Sequence, residues 1–314
     1  MKDQLLTFVF HLFIIGLLAA LYFVLPEYHS GVLARVMVLA VYAMGYNILF
    51  GYTGLLSLGH ALFFASGMYG LGLAMQHMSV SPSVGILYGL AAAVIVSTVI
   101  GFLALRTAGV AFMIVTLMFA QAGYLLILWL GEYTRGDEGF VIQQSQRVLN
   151  GIDLSQAGNR YFAALILFAI CLLLIGWIVR SGFGKTLVAI RENEERARML
   201  GYNVHRHKWL AVIISGVLSG AAGAAYALLF GYVGATFATV QYSIFPLLYV
   251  LLGGAGTTIG PLIGTVFMYY LIDLSSQLTS AYLLIAGVAL IVLTLFAPQG
   301  LAGEVRKRVF TWLT

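Results

Sequence analysis

Residues 184–208 read GKTLVAIRENEERARMLGYNVHRHK, and no other part of the chain looks like them. Six of the sixteen Lys and Arg residues, with three Glu, fall in these 25 positions, and long apolar runs stand on either side. The whole chain has 314 residues, 61% hydrophobic and 9% charged, with a mean hydropathy of +0.99. Soluble domains carry about 25% charged residues. A soluble core of this size cannot hide so much apolar surface, so the solvent of this protein is a bilayer. The net charge of +5 does not mark a nucleic-acid binder, because the cations are confined to a few segments between apolar runs, where they set topology. The single Cys171 lies in an apolar run and reads as packing filler, with no disulfide framework.

A membrane helix takes about 20 mostly apolar residues. Runs of that kind are 5–25, 32–50, 54–75, 84–105, 108–131, 160–179, 208–231 and 281–297, with shorter ones at 240–254 and 258–274. The expectation is an all-α polytopic membrane protein of about ten spans, one domain over 1–314. The run 5–25 exceeds the roughly 7–15 residues of a secretory signal core and ends in LPEYH without a small-residue cleavage site, so it reads as a retained first span. Orientation follows from Lys and Arg. Seven cations in 180–208, three in the tail (Arg306, Lys307, Arg308) and Arg106 mark cytoplasmic segments. The loop 132–159 has two cations against four acids and is placed outside. Six crossings before the charged segment 181–207 and four after it put both termini in the cytoplasm. The linker GYTG at 51–54 reads either as the end of one span or as a break inside the membrane.

Within the charged segment Leu187, Ile190, Ala197 and Leu200 form one apolar stripe at spacings of three and seven. Glu192 precedes Arg196 by four and Glu194 precedes Arg198 by four, each pair in the favourable order worth about 0.2–0.5 kcal/mol. Gly201 stands where a helix end takes a left-handed residue. The spacing predicts one short amphipathic helix over 187–200. A solvated loop obeying the positive-inside rule would explain the cations alone. An interfacial helix would set its acids against anionic headgroups. A helix that docks on another protein accounts for cations, acids, stripe and stop together, and on the residues alone the three readings stay open.

Two nucleotide-like patterns fail on inspection. Gly184-Lys185-Thr186 imitates the end of a phosphate-binding loop, but the first glycine of that motif would be Val179, at the end of a membrane helix rather than a strand. Gly254-Ala255-Gly256 opens a dinucleotide-like pattern whose last glycine, Gly260, comes one position late.

EERARMLG contains Glu195-x-Ala197-x-x-x-Gly201, which resembles the E-A-A-x-x-x-G coupling motif of bacterial ABC importer permeases, with Arg196 in place of the first alanine. GYTGLLSLGHALFF (51–64), FGKTLVAIRENEERARMLGYNVHRHK (183–208), LLGGAGTTIGPLIGT (251–265) and APQGLAG (297–303) narrow it. Over about residues 35 to 305 the chain resembles the branched-chain amino-acid permease family, the LivM-like half. That resemblance implies a ten-span importer subunit in the bacterial cytoplasmic membrane, paired with a second, related permease, two cytoplasmic ATPases and a periplasmic binding protein. It also implies that the segment around Arg191, Glu192, Glu195, Ala197 and Gly201 inserts into the ATPase, with no cofactor of its own. Family members commonly carry T-G-G-x-x-G in the outer loop, where this chain has Thr134-Arg135-Gly136-Asp137-Glu138-Gly139. The extra charge there puts the usual solute in doubt but not the architecture.

Small residues at close-packing spacing mark helix contacts: Gly256, Gly260 and Gly264, then Gly216 and Gly220, then Gly85 and Gly89. Two places look discontinuous, 51–60 and 253–261. Each has a G-x-x-G near the start of a short apolar helix that reaches Met-Tyr, as a weak internal repeat would. Interrupted helices in corresponding halves point to transport sites in secondary carriers, and freed backbone groups must line a cavity or be covered by protein. Ser57, His60, Thr257 and Thr258 are therefore candidates for the translocation path. An intramembrane histidine is a functional candidate by default, yet a neutral imidazole bonded to a freed carbonyl explains His60 equally well. His11 reads as a packing residue.

No carboxylate pair, metal-ligand cluster or Ser/His/Asp grouping sits at one membrane depth, which disfavours a membrane enzyme. An ion-coupled carrier acting alone should show paired intramembrane acids or bases, and none appear. The expected function is a permease subunit of an ABC importer. Its solute is expected to be a branched-chain or other hydrophobic amino acid, with urea, amides and small aromatic acids used by relatives.

Overall fold

A computed structural model of the protein describes residues 2–279, 281–297 and 299–308. In chain order the helices are α1 (Lys2–Val24), α2 (Glu27–Asn47), α3 (His60–Met78), α4 (Pro82–Ala104), α5 (Val110–Trp129), the single turn α6 (Gly131–Thr134) and α7 (Ala157–Arg180). They continue with α8 (Gly182–Glu192), α9 (Glu194–Met199), α10 (Val204–Phe230), α11 (Val240–Gly253), α12 (Gly260–Leu278), α13 (Tyr282–Phe296) and α14 (Gly300–Arg308). Four two-residue strands complete it: β1 (Phe140–Val141), β2 (Val148–Leu149), β3 (Ile152–Asp153) and β4 (Tyr232–Val233). β1 pairs antiparallel with β4, and β2 with β3.

The ten apolar runs fall on α1–α5, α7 and α10–α13. Among the described residues six helices are long and apolar enough to cross a membrane: α1, α2 with its extension to Tyr52, α4, α5, α7 and α10. α11 and α13 have only 14 and 15 residues, about 21–23 Å of helix against a hydrocarbon core of about 30 Å. The glycine breaks cause this shortening at the second discontinuity. At the first, the run expected to begin a helix at 54 begins it at His60, because 53–59 is not helical.

α2 is the axis of the fold. Its most apolar window is 94% buried, against 67% for α10 and 17% for α1 and α5. Leu, Ile, Val and Phe side chains on α1, α4 and α5 stay exposed, as lipid-facing helices require. α3, α4 and α10 close-pack through small residues. A methyl on Gly220 would press on Ala93, and one on Gly216 on Ser97, so both predicted packing glycines stand at contacts.

The connections sort into two ends. The α2–α3 connection, the α4–α5 connection and α8–α9 line one cleft, and Gly256 of the α11–α12 connection lies against Gly51 at that end. At the other end, the 130–156 loop pairs with the α10–α11 connection through β1 and β4. There too the Tyr28 hydroxyl donates to Asp273 at 2.7 Å, joining the start of α2 to the end of α12. A chain that alternates direction with each long helix produces this sorting.

Candidate functional site

The charged segment is not one helix. Asn193 is extended (φ −160°, ψ 102°) and ends α8; its side chain then caps α9, accepting from Arg196 N–H at 2.8 Å. An asparagine favours this local bond over helix continuation. The predicted helix over 187–200 is thereby corrected to two helices at an angle. Glu192 and Arg196, on either side of the break, form no ion pair, whereas Glu194 binds Arg198 at 3.1 Å and Lys208 at 2.5 Å. Leu187, Ile190 and Ala197 are buried as the stripe requires, and Ile190 and Ala197 pack with Val204. Leu200 is not: it is 72% exposed beside Met199 at 81%, because it sits at the non-helical end of α9. Gly201 has φ +89°, its N–H bonded to the Arg198 carbonyl at 3.0 Å and the Tyr202 N–H to the Ala197 carbonyl at 3.2 Å. That double bond is the glycine-terminated helix stop.

Both predicted discontinuities are real, and they meet. α2 ends in a π-helical turn, Ile48–Tyr52, of the kind that accumulates at functional sites. The Thr53 hydroxyl takes up the freed Ile48 carbonyl at 2.9 Å. At the second break the Thr257 hydroxyl donates to the Gly254 carbonyl at 2.7 Å and accepts the Gly260 N–H at 3.1 Å. Asn47, one turn before Gly51, ties the two together. Its amide donates to the Thr257 carbonyl at 2.8 Å and its oxygen accepts the Gly256 N–H at 2.9 Å. The freed backbone groups are covered by protein rather than left to lipid. Gly256 (φ +76°) lies in this loop and not on a helix, so the expected three-glycine helix stripe is corrected to Gly260 and Gly264. Those two bring the α12 backbone onto Gly253 and Tyr249 of α11.

Arg191 joins the charged segment to this junction. Its guanidinium donates to the Gly51 carbonyl, its aliphatic stem covers Gly54, and it lies beside Gly256. One side chain from α8 thus touches both breaks. Next to it a cleft of about 440 Å³ is lined by Thr53, Gly54, Gly109, Arg191, Glu194 and Lys208 among others.

The four path candidates fall into two pairs with different partners. His60 is fully buried, its Nδ1 at 3.2 Å from the Ser57 hydroxyl and its Nε2 at 2.8 Å from Ser215 on α10. Ser57 also accepts the Gly59 N–H at 3.2 Å, so each ring nitrogen has a serine hydroxyl as partner and Ser57 is itself tied to the backbone. Thr258 faces α1 instead, bonded to His11 at 3.0 Å. None of the four lines the described cleft. Asn47 and Ser215 went unnoticed in the sequence. The one available signal for Asn47 was its place, an amide four residues before a glycine break.

A buried, twice-broken helical bundle with a charged, doubly kinked segment bonded to its breaks is the build of a multi-pass transport permease. The family model described as "Branched-chain amino acid transport system / permease component" matches residues 28–296, and the chain belongs to that family. It is 27% identical over 301 residues to the high-affinity branched-chain amino acid transport system permease protein LivM of Escherichia coli (strain K12), covering 87% of this chain and 69% of that one. The LivM protein of Salmonella typhimurium is 28% identical over 300 residues, with the same coverage. A probable LivH permease of Methanocaldococcus jannaschii is 29% identical over 182 residues, 53% of this chain and 56% of that one. The protein is therefore a permease subunit of the branched-chain amino-acid ABC transporter family, working with ATPase and other subunits as that family does.

Proposed function

We propose that this chain imports an apolar amino acid across the bacterial cytoplasmic membrane. Both termini lie inside, and the chain is paired with a second, related permease, two ATPases and an extracytoplasmic binding protein. In this reading α8–α9 docks on an ATPase and passes its movement to the two helix breaks. The observation that carries it is the bond from Arg191 to the Gly51 carbonyl, beside Gly256. Met199 and Leu200, exposed at the end of α9, give the ATPase an apolar grip flanked by Glu195 and Arg196. Ala197 is spent inward, and Gly201 sets the turn. Ser57, His60, Thr257 and Thr258 act at the breaks as latches that hold the helices while the junction moves.

The test uses the assembled importer in proteoliposomes. Glu195→Lys and Gly201→Trp should abolish stimulation of ATP hydrolysis by the loaded binding protein, with the subunits still in the membrane. Arg191→Met should leave hydrolysis stimulated but lower uptake per ATP by roughly tenfold, the ratio matching one charge-assisted bond. Full stimulation in both docking variants would remove α8–α9 from the ATPase. Normal uptake per ATP in Arg191→Met would remove the link to the breaks. For sidedness, cysteines at Gln143 and Ser155 should react with an impermeant thiol reagent added outside, while Asn193→Cys should not. Reaction of Asn193→Cys in intact cells would reverse the orientation.

A further inference from the structure

At the end of the molecule away from the docking helices, three arginines gather around one turn of chain. Arg35 of α2 and Arg160 of α7 each lie over the ring of Phe230, with guanidinium carbons 5.2 and 5.7 Å from its centre. Arg147, from the 130–156 loop, donates to the Leu229 carbonyl at 3.3 Å and covers Gly231. Burial and the charges of Arg35 and Arg147 act against the charge of Arg160. Among the described residues none of the three is ion-paired. Asp153, on which the Arg147 charge acts, forms no ion pair with it among the described residues: Ser155 binds it through hydroxyl and backbone N–H at 2.6 and 2.8 Å, and these bonds hold it below the usual carboxylate range. The Nε atoms of Arg147 and Arg160 are buried without a hydrogen-bond partner. An unsatisfied buried donor on a charged group is expensive, and two of the three arginines carry one.

Position says where a balancing anion would come from. Between Val32 and Leu49 every residue of the α2 axis is buried except Arg35. It lies eight residues past Glu27, about 12 Å along the helix, and is exposed beside Phe230 of α10 and Tyr269 of α12. Among the described residues it makes one hydrogen bond, a long one of 3.5 Å to the Tyr269 hydroxyl of α12. Cations on the outer side also run against the positive-inside tendency. We propose that Arg35, Arg160 and Arg147 form an outer reception site for the carboxylate of the incoming solute, with Phe230 receiving its apolar side chain. Guanidinium forks match a carboxylate in plane and charge, and the ring beside them suits an amphipathic molecule such as a branched-chain amino acid. This rests on the importer reading above and names the group by which the solute is first held.

The experiment reads arginine reactivity, not uptake. The importer complex is purified in lipid-free detergent and treated with phenylglyoxal, and adducts at Arg35 and Arg160 are quantified by mass spectrometry, with Arg106 as reference. Leucine at about ten times its Kd should slow both modifications roughly tenfold, as occupancy of the site requires, whereas leucinamide, which lacks the carboxylate, should not. Arg35→Gln should remove the leucine effect at Arg160. Where that variant fails to assemble, Arg147→Gln on the outer loop provides the same readout. No protection by leucine, or equal protection by leucinamide, would overturn the site. Slow modification in phosphatidylglycerol nanodiscs with no leucine effect in detergent would give the arginines to lipid phosphate and overturn it as well. If leucine fails to protect a complex that still drives ATP-dependent uptake, this site alone is wrong. If no ATPase purifies with the chain, the importer reading falls, and the protection assay still reports on the arginines.

Discussion

At the first break, residues 53–59, the chain is clamped from outside by side chains of three other helices. Thr116 of α5 accepts the Leu58 N–H at 3.2 Å, Ser243 of α11 accepts the Ala61 N–H at 2.9 Å, and Ser215 of α10 holds His60. The second break, residues 254–259, is tied to α2 through Asn47 and to α1 through His11, and is closed in addition by its own chain. Thr257 closes the turn, and α11 and α12 cross with glycine backbone against backbone at Gly253, Gly260 and Gly264. Glycine space matters at both breaks, since a methyl on Gly51 would meet Asn47 and the Gly256 N–H and one on Gly59 the Thr116 carbonyl; the second break differs in setting two neighbouring helix backbones, α11 and α12, directly against each other. Arg191 and Asn47 touch both, so a movement entering at α8 meets one break clamped by side chains of α5, α10 and α11 and one backed by the α11–α12 backbone contact.

The largest expected effect follows from that difference. A methyl on Gly264 would overlap the Tyr249 carbonyl and crowd the Gly253 N–H at 2.7 Å, and backbone cannot yield without separating α11 from α12. Gly264→Ala should cost about 3 kcal/mol or more and leave little folded complex in a thermal melt in detergent. Gly54→Ala, at the first break, meets only the flexible Arg191 stem at 3.1 Å. Its positive φ of 77° should cost only about 1–2 kcal/mol. Equal losses would mean that the two breaks are held alike.

An intermediate effect tests what joins the breaks. Asn47→Leu leaves the Gly256 N–H and the Thr257 carbonyl without their partner, at about 1–3 kcal/mol for each buried group. The loss should appear in the melting midpoint. A change below about 1 kcal/mol would mean that the second break satisfies itself.

Much of this was legible in the sequence because it is written in spacing and composition. The apolar runs, the two glycine breaks, the Glu194–Arg198 pair and the stop at Gly201 all depend on neighbours within a turn or two. Most of what was not legible depends on distant partners. One miss was local: Asn193, a residue type that favours capping, stands three before Arg196 and takes its N–H. Nothing near Leu200 shows that the resulting bend turns it outward. The bond from Arg191 to Gly51 spans 140 positions, and that from His11 to Thr258 spans 247; periodicity carries no record of either. Arg35, Arg147 and Arg160 were each visible as single cations near the ends of runs, but their meeting at Phe230 is a fact of packing alone.

The smallest expected effect concerns the two buried histidines, one at each break. His60 has a partner on both ring nitrogens and His11 on one, Thr258. His60→Ala strands Ser57 and Ser215 and should lower stability by about 1–3 kcal/mol, while His11→Ala strands one hydroxyl and should fall at the low end of that range. Neither ring nitrogen of His60 is left over for a passing solute, so uptake per folded molecule should stay near normal in both variants once the amount of folded complex is measured alongside. A fall in uptake per folded molecule in His60→Ala, with the melting midpoint unchanged, would mean that the imidazole leaves Ser215 during the cycle to touch cargo or a gate. The first break would then be the moving one, and the second, packed through glycine, the fixed wall against which it works.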